Sequence, residues 1–180
     1  MRSDMIIQLH KNFGDFAHHL DYDNFEKTSG EFWELQSKAQ VFKDDILVYT
    51  TGANIGRTNI YQSAKKALAS NHVKILRIKG EDPYYVSFVM NSLIGRMQTD
   101  KLSAGSAQAE LYPKDIAQFL IPFVGKETQL KIRDKIISSL ALKKQSTALL
   151  DVAKHAVEIA IEQDEQAALD FIALESKNAF

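Results

Sequence analysis

Cysteine is absent from this 180-residue sequence, and with it go disulfides, cysteine-ligated zinc, iron–sulfur clusters and thiol nucleophiles. Proline is scarce, with three residues in all, and between Lys126 and Phe171 neither proline nor glycine occurs. No run approaches the roughly 20 apolar residues that span a bilayer. The stretch Met1 to Asp15 turns polar and acidic before a signal-peptide core could form. The sequence therefore predicts a soluble, cytoplasmic protein. Surplus positive charge is missing too, since 22 Lys and Arg stand against 23 Asp and Glu for a formal net charge of −1. That excludes a generic polyanion coat, because non-specific duplex binding rests on excess cations that neutralise phosphates.

What is present is enough apolar residue, 45% of the chain, to bury one sizeable core. One globular domain over residues 1–125 and a helical appendage over 126–180 are expected. The near-neutral average hides an asymmetry along the chain. Residues 1–45 carry five Lys and Arg against nine Asp and Glu, residues 46–125 carry nine against five, and residues 126–180 carry eight against nine. A surface that faces a polyanion belongs in the middle segment.

Ile46 to Tyr49 and Thr58 to Tyr61 are short β-branched and aromatic runs that flank the glycine-bearing stretch Thr51 to Gly56, which predicts a hairpin or looped strand pair. A third strand is expected over His72 to Ile78. Asp82-Pro83 supplies a capping residue followed by proline at the first helical position. Val86, Val89, Met90, Leu93 and Met97 then mark one buried stripe of an amphipathic helix. A polar loop is expected over Leu102 to Gln108, one helical turn from Pro113 to Ile116, and a short apolar strand over Phe119 to Val124. From Lys126 to about Ile161 the Ala, Leu, Lys and Glu content predicts one continuous helix. Its apolar stripe, with Ile132, Ile136, Leu140, Ala153, Val157 and Ile161 as interface residues, calls for an antiparallel partner helix.

The chemistry-bearing motifs are each better explained as structure. The Gly52 to Gly56 loop lacks the Lys-Ser/Thr ending of a phosphate-binding loop, and no long helix follows it. Asp82-Pro83-Tyr84-Tyr85 superficially resembles an amino-methyltransferase motif, but the second proline and a glycine-rich cofactor loop are missing, so it is a helix start. His18 and His19 are adjacent and point to different faces, without further ligands at metal spacing. Asp44-Asp45 and Glu81-Asp82 have no Glu-x-Lys partner for a nuclease site and are expected as turn and cap residues. Trp33, near Phe25 and Phe32, is expected in the core. No catalytic residue, cofactor or metal site is assigned.

The order of these elements carries a resemblance. Lys43-Asp44-Asp45-Ile46-Leu47-Val48, then TTGANIGRTNIY from Thr50, SNHVKILRIKG from Ser70, DPYYVSFVMNS from Asp82, SAGSAQAELYPKDI from Ser103, IPF from Ile121 and KETQLKI from Lys126 together resemble the specificity subunit of type I restriction-modification systems. The resemblance covers about residues 42–140, a target-recognition domain and the helix that follows it. One departure is Tyr112, where the family has a Ser or Thr helix cap. The stretch before Asp44 is short for the family, and full-length members carry two such domains and two long helices, so a half-subunit is expected. The resemblance implies an α+β fold, a mixed curved sheet followed by a long coiled-coil-forming helix. It implies a non-catalytic chain that directs methyltransferase and restriction subunits to a bipartite site on double-stranded DNA and pairs as a homodimer through the helix. Arg57 and Asn59, side chains suited to guanine and adenine edges, and Gln108 are the candidate base readers. Lys65, Lys66 and Lys101 are the candidate phosphate contacts. The alternative is a coiled-coil dimeric interaction module that does not bind DNA.

Overall fold

The computed structural model describes residues 6–9, 26–103 and 109–178. The chain divides into two compact units, Met1–Arg133 and Asp134–Phe180. In the first unit the expected hairpin forms from β4 (Ile46–Tyr49) and β5 (Thr58–Ile60), antiparallel with Ile46 opposite Ile60. β7 (Val73–Leu76) joins the other side of β4, also antiparallel. The remaining strands make a separate, mixed sheet. β1 (Ile6–Leu9) lies antiparallel to β2 (Glu26–Thr28) and parallel to β6 (Ala67–Ala69), and β6 in turn pairs with β3 (Gln40–Val41). The fold class is α+β as expected, with the strands shared between two sheets.

Residues in register across a sheet share a face, so Leu47, Asn59 and Ile75 lie on one side of the three-stranded sheet with Tyr49 and Val73. Leu47, Tyr49, Tyr61 and Val73 form one buried cluster with Val41 and Ala67 of the mixed sheet, so the two sheets pack against each other. On the outer side of the mixed sheet, Trp33 of α1 (Gly30–Leu35) packs with Leu68 and Ala39. Trp33 is a core residue, as the sequence suggested.

The other face of the three-stranded sheet meets α2 (Pro83–Asn91), started by Asp82, whose carboxylate accepts the N–H groups of Tyr84 and Tyr85. The Asn91 carboxamide accepts the Thr58 N–H and donates to the Thr58 carbonyl, both at 2.9 Å. The Thr58 hydroxyl bonds Ser87 at the same joint. The single helix expected through Met97 is two: α2 ends at Asn91, and Ser92, in an extended conformation, turns the chain into α3 (Leu93–Ser103). Leu93 and Met97 are therefore exposed rather than on the buried stripe. Gly95 permits the close return, because a Cβ there would lie 2.0 Å from the Met90 carbonyl oxygen.

The expected strand over Phe119 to Val124 does not form. Pro122 removes a donor, and side chains satisfy the backbone instead. Tyr85 donates to the Pro122 carbonyl at 2.6 Å, and the Gln98 amide brackets Leu120 through its N–H and its carbonyl. The short α4 (Pro113–Ile116) precedes this run, and the Asp115 carboxylate accepts the Tyr112 N–H at 3.0 Å, supplying a cap that Tyr112 does not. α5 (Lys126–Glu162) is continuous, as its composition predicted. In the second unit a turn at Gln163 and Asp164 leads into α6 (Glu165–Asn178).

Candidate nucleic-acid interface

The loop between β4 and β5 is built on glycine. Gly52 and Gly56 adopt φ of 74° and 78°, conformations that a Cβ disfavours. Gly56 also faces Thr99 of α3, whose Oγ1 would lie 2.2 Å from an added Cβ. The loop is thereby seated on the helix that carries Lys101. Arg57 follows directly. Its N–H donates to the Asn54 carbonyl and its own carbonyl accepts the Tyr49 N–H, so the backbone is fixed while the side chain is exposed.

Asn59 does not join it. At 2% exposure, on the face of the sheet that packs against the other sheet, its amide is closed off from any DNA surface. The alternation that pairs it with Leu47 puts it inside, and we withdraw it as a base reader. Lys65 and Lys66 lie in the turn between β5 and β6, which the Tyr61 hydroxyl holds by donating to the Lys65 carbonyl at 2.8 Å. Both are exposed, but Lys66 is already engaged. Its ammonium lies 4.3 Å from the Trp33 ring centroid and 3.7 Å from a Glu34 carboxylate oxygen. Lys101 is exposed near the end of α3, and Gln108 lies outside the described residues.

Sequence reasoning missed several residues. Phe42 is exposed, and Arg77 lies over its ring at 5.0 Å while pairing with the buried Asp45 carboxylate at 2.9 Å. An open cleft beside β7 brings Gln36, Lys38, Asn71 and Lys74 to one concave surface, a set of amide and ammonium donors that suits bases and phosphates. No spacing links Lys38 to Lys74; only the fold does.

The root of α5 is also built from residues the sequence left unassigned. Gln129, 1% exposed, accepts the Asp82 N–H at 2.9 Å and donates to the Val124 carbonyl at 2.9 Å and to the Glu81 carboxylate. Arg133 pairs with Asp82 at 3.3 Å and lies over the Tyr84 ring, and Lys126 pairs with Glu81 at 3.5 Å. The Gln129 hydrogen bond, aided by Lys126, holds the Glu81 carboxyl below its ordinary value of 4.5. Asp82 is thus fully occupied by a helix cap, an ion pair and a backbone bond.

The family model for the type I restriction modification DNA specificity domain matches residues 10–150. The chain belongs to that family. Sequence-specific DNA recognition in a type I restriction-modification specificity subunit is therefore the setting of this domain. The match takes in the β4–β5 loop, α3, the polar root of α5 and much of the long helix. No curated protein of similar sequence was found. For this specificity domain, the exposed Arg57, Lys65 and Lys101 and the cleft beside β7 are the candidate contact groups. Among the described residues no cluster of three or more His, Asp or Glu side chains is placed to hold a metal ion, and no helix is long and apolar enough to cross a membrane.

Proposed function

We propose that this chain reads one half of a bipartite DNA site for a type I restriction-modification assembly and performs no chemistry itself. The family match over residues 10–150 carries the reading. Residues 1–125 form the reading head and 126–180 the arm. Arg57, presented beside a glycine-fixed loop, reads a base edge. Lys65, Lys101 and, once released from Glu34, Lys66 hold phosphates; Gln108 is a further base reader. Methyltransferase subunits dock on the assembly and bring S-adenosylmethionine chemistry, and restriction subunits bring ATP-driven cleavage, so this chain needs no cofactor of its own. The protein works in the cytoplasm, where that DNA is met.

The long helix sets the distance to the second half-site by pairing with a second copy. Support comes from Val157 and Ile161, which are 60% and 79% exposed, and from Ala153 beside them. Ile132, Ile136 and Leu140 extend that stripe toward the root of the helix. Ile136 is already buried and Ile132 and Leu140 are half-buried, so the exposed end near Val157 contributes most to pairing.

The decisive experiment compares binding of cognate and scrambled duplexes by the chain with and without its methyltransferase subunits. Selective binding in the assembled form, with no methylation or cleavage by the chain alone given S-adenosylmethionine, magnesium and ATP, is the expected result. Turnover by the purified chain, abolished by a substitution within it, would sink the non-catalytic reading. Absence of selective binding in either form would leave an interaction module.

A further inference from the structure

Backbone alternation fixes which groups of β7 are already engaged. Thr50 donates its N–H to the His72 carbonyl at 3.0 Å, and the register that sets Tyr49 opposite Val73 sets Thr50 opposite His72. In an antiparallel ladder every second pair exchanges hydrogen bonds, so Lys74 and Leu76 also turn their backbone groups toward β4. Val73 and Ile75 turn theirs outward. β7 is the last strand on its side of the sheet, and the Val73 N–H donates to the Ser70 carbonyl at 3.0 Å. Among the described residues nothing meets the Val73 carbonyl or the N–H and carbonyl of Ile75. The opposite edge of the same sheet is closed at the corresponding place, where Asn91 answers both backbone groups of Thr58.

This edge lies within the cleft beside β7, an open space of about 510 Å³ also lined by Gln36, Lys38 and Ala39 before β3 and by Pro113, Ile116 and Ala117 in and just after α4. Much of the lining is therefore apolar. Its two charged residues, Lys38 and Lys74, are both cations. Among the described residues neither meets a carboxylate, and the Lys74 ammonium turns back on the Asn71 carbonyl at 2.9 Å. A free strand edge, an apolar lining and two available cations thus share one cleft.

We propose that the cleft receives an extended acidic segment of a partner protein, which adds a fourth strand to the sheet along the outer edge of β7. Main-chain groups of that segment take the Ile75 N–H and the Val73 and Ile75 carbonyls, and its acidic side chains meet Lys38 and Lys74. Amide and ammonium donors alone would serve a phosphate as well as a carboxylate. The sugar–phosphate backbone of a nucleic acid carries acceptors only, however, so it leaves both carbonyls unanswered and gains nothing from an apolar lining. A second copy of this chain would set Lys38 and Lys74 against their own kind, and lysine on an edge strand discourages such pairing. An acidic strand answers the ladder and the charge together. The proposal does not depend on DNA recognition.

The probe is a peptide of three Glu-Val repeats, blocked at both ends, titrated into the full chain and followed by amide hydrogen exchange in NMR spectra. In the free protein the Ile75 amide should exchange at least tenfold faster than the Lys74 amide, its neighbour bonded to β4. Saturating peptide should slow Ile75 at least tenfold and leave Lys74 unchanged. Methylating the backbone nitrogens of the peptide keeps its charges and removes its donors, and should weaken binding at least tenfold. The double variant Lys38→Glu, Lys74→Glu should lose the Glu-Val peptide and gain a peptide of Lys-Val repeats, an exchange of preference that misfolding cannot produce. Equal binding of the methylated peptide, or none of the unmethylated one at millimolar concentration, overturns the added strand. Ile75 protection that rises with the concentration of the chain alone overturns it in favour of a second copy. Ile75 protection by a scrambled DNA duplex that displaces the peptide overturns it in favour of nucleic acid. Selective duplex binding by the assembled methyltransferase, measured separately, tests the recognition reading alone.

Discussion

Gln129 shows how much one uncharged side chain can organise. Its amide meets a backbone N–H, a backbone carbonyl and a carboxylate, and Gln129→Leu would keep the volume while leaving the Asp82 N–H and Val124 carbonyl without partners. Leaving a buried polar group unsatisfied costs about 1–3 kcal/mol. The substitution should therefore lower stability by at least about 2 kcal/mol, read as a shift in the urea midpoint at unchanged slope. A second comparison separates two causes at the β4–β5 loop. Gly52→Ala should cost only the left-handed backbone penalty, about 1–2 kcal/mol, because no atom stands within 4 Å of its would-be Cβ. Gly56→Ala should cost clearly more, since it adds a collision with Thr99, and Thr99→Ala should recover part of the excess in the double variant.

Elements were legible where local chemistry decides them. β4 and α4 formed over the residues expected, because β-branched runs and a Pro start are local signals, and the helix expected from Lys126 to about Ile161 formed as α5, although nothing in its Gly- and Pro-free composition marks the turn before α6. Elements were misread where a distant side chain decides. Phe119 to Val124 has a strand's composition, yet Tyr85, Gln98 and Gln129 answer its backbone. The break at Ser92 was hidden because the apolar periodicity runs on through Met97 while the helix does not. The site divided the same way. Arg57 beside a glycine loop could be found by inspection, whereas the burial of Asn59 follows from a second sheet that no local pattern announces. Gln129 had a signal, its place in KETQLKI, but no sequence argument says what it holds. At this scale we expect Val157→Lys to weaken self-association at least tenfold by sedimentation, with helicity unchanged. The residue is exposed on α5, on the stripe put forward above for pairing.

For the whole molecule, a net charge of −1 means that affinity for DNA must come from a few placed cations rather than from a general field. Lys65→Ala in the assembled methyltransferase should weaken binding to all duplexes alike and flatten its salt dependence. Lys66→Ala should do less, because Glu34 and Trp33 already hold that ammonium. Arg57→Ala should instead cost about 1–3 kcal/mol on the cognate site and relax preference at one base pair. Equilibrium titration of cognate and scrambled duplexes at two salt concentrations tells the three apart, and equal losses for Lys65 and Arg57 would remove the distinction between holding and reading. Cohesion of the whole domain depends on a humbler contact. β5 is the outermost strand of its sheet, and the Asn91 carboxamide occupies both hydrogen-bonding groups of Thr58 as a neighbouring strand would. All three residues of β5 are buried, so without that amide two backbone groups would be sealed inside the fold with no partner, at about 1–3 kcal/mol for a buried polar group left unsatisfied. Asn91→Ala should thus show itself first as a lower melting temperature, while the folded protein that remains still binds DNA.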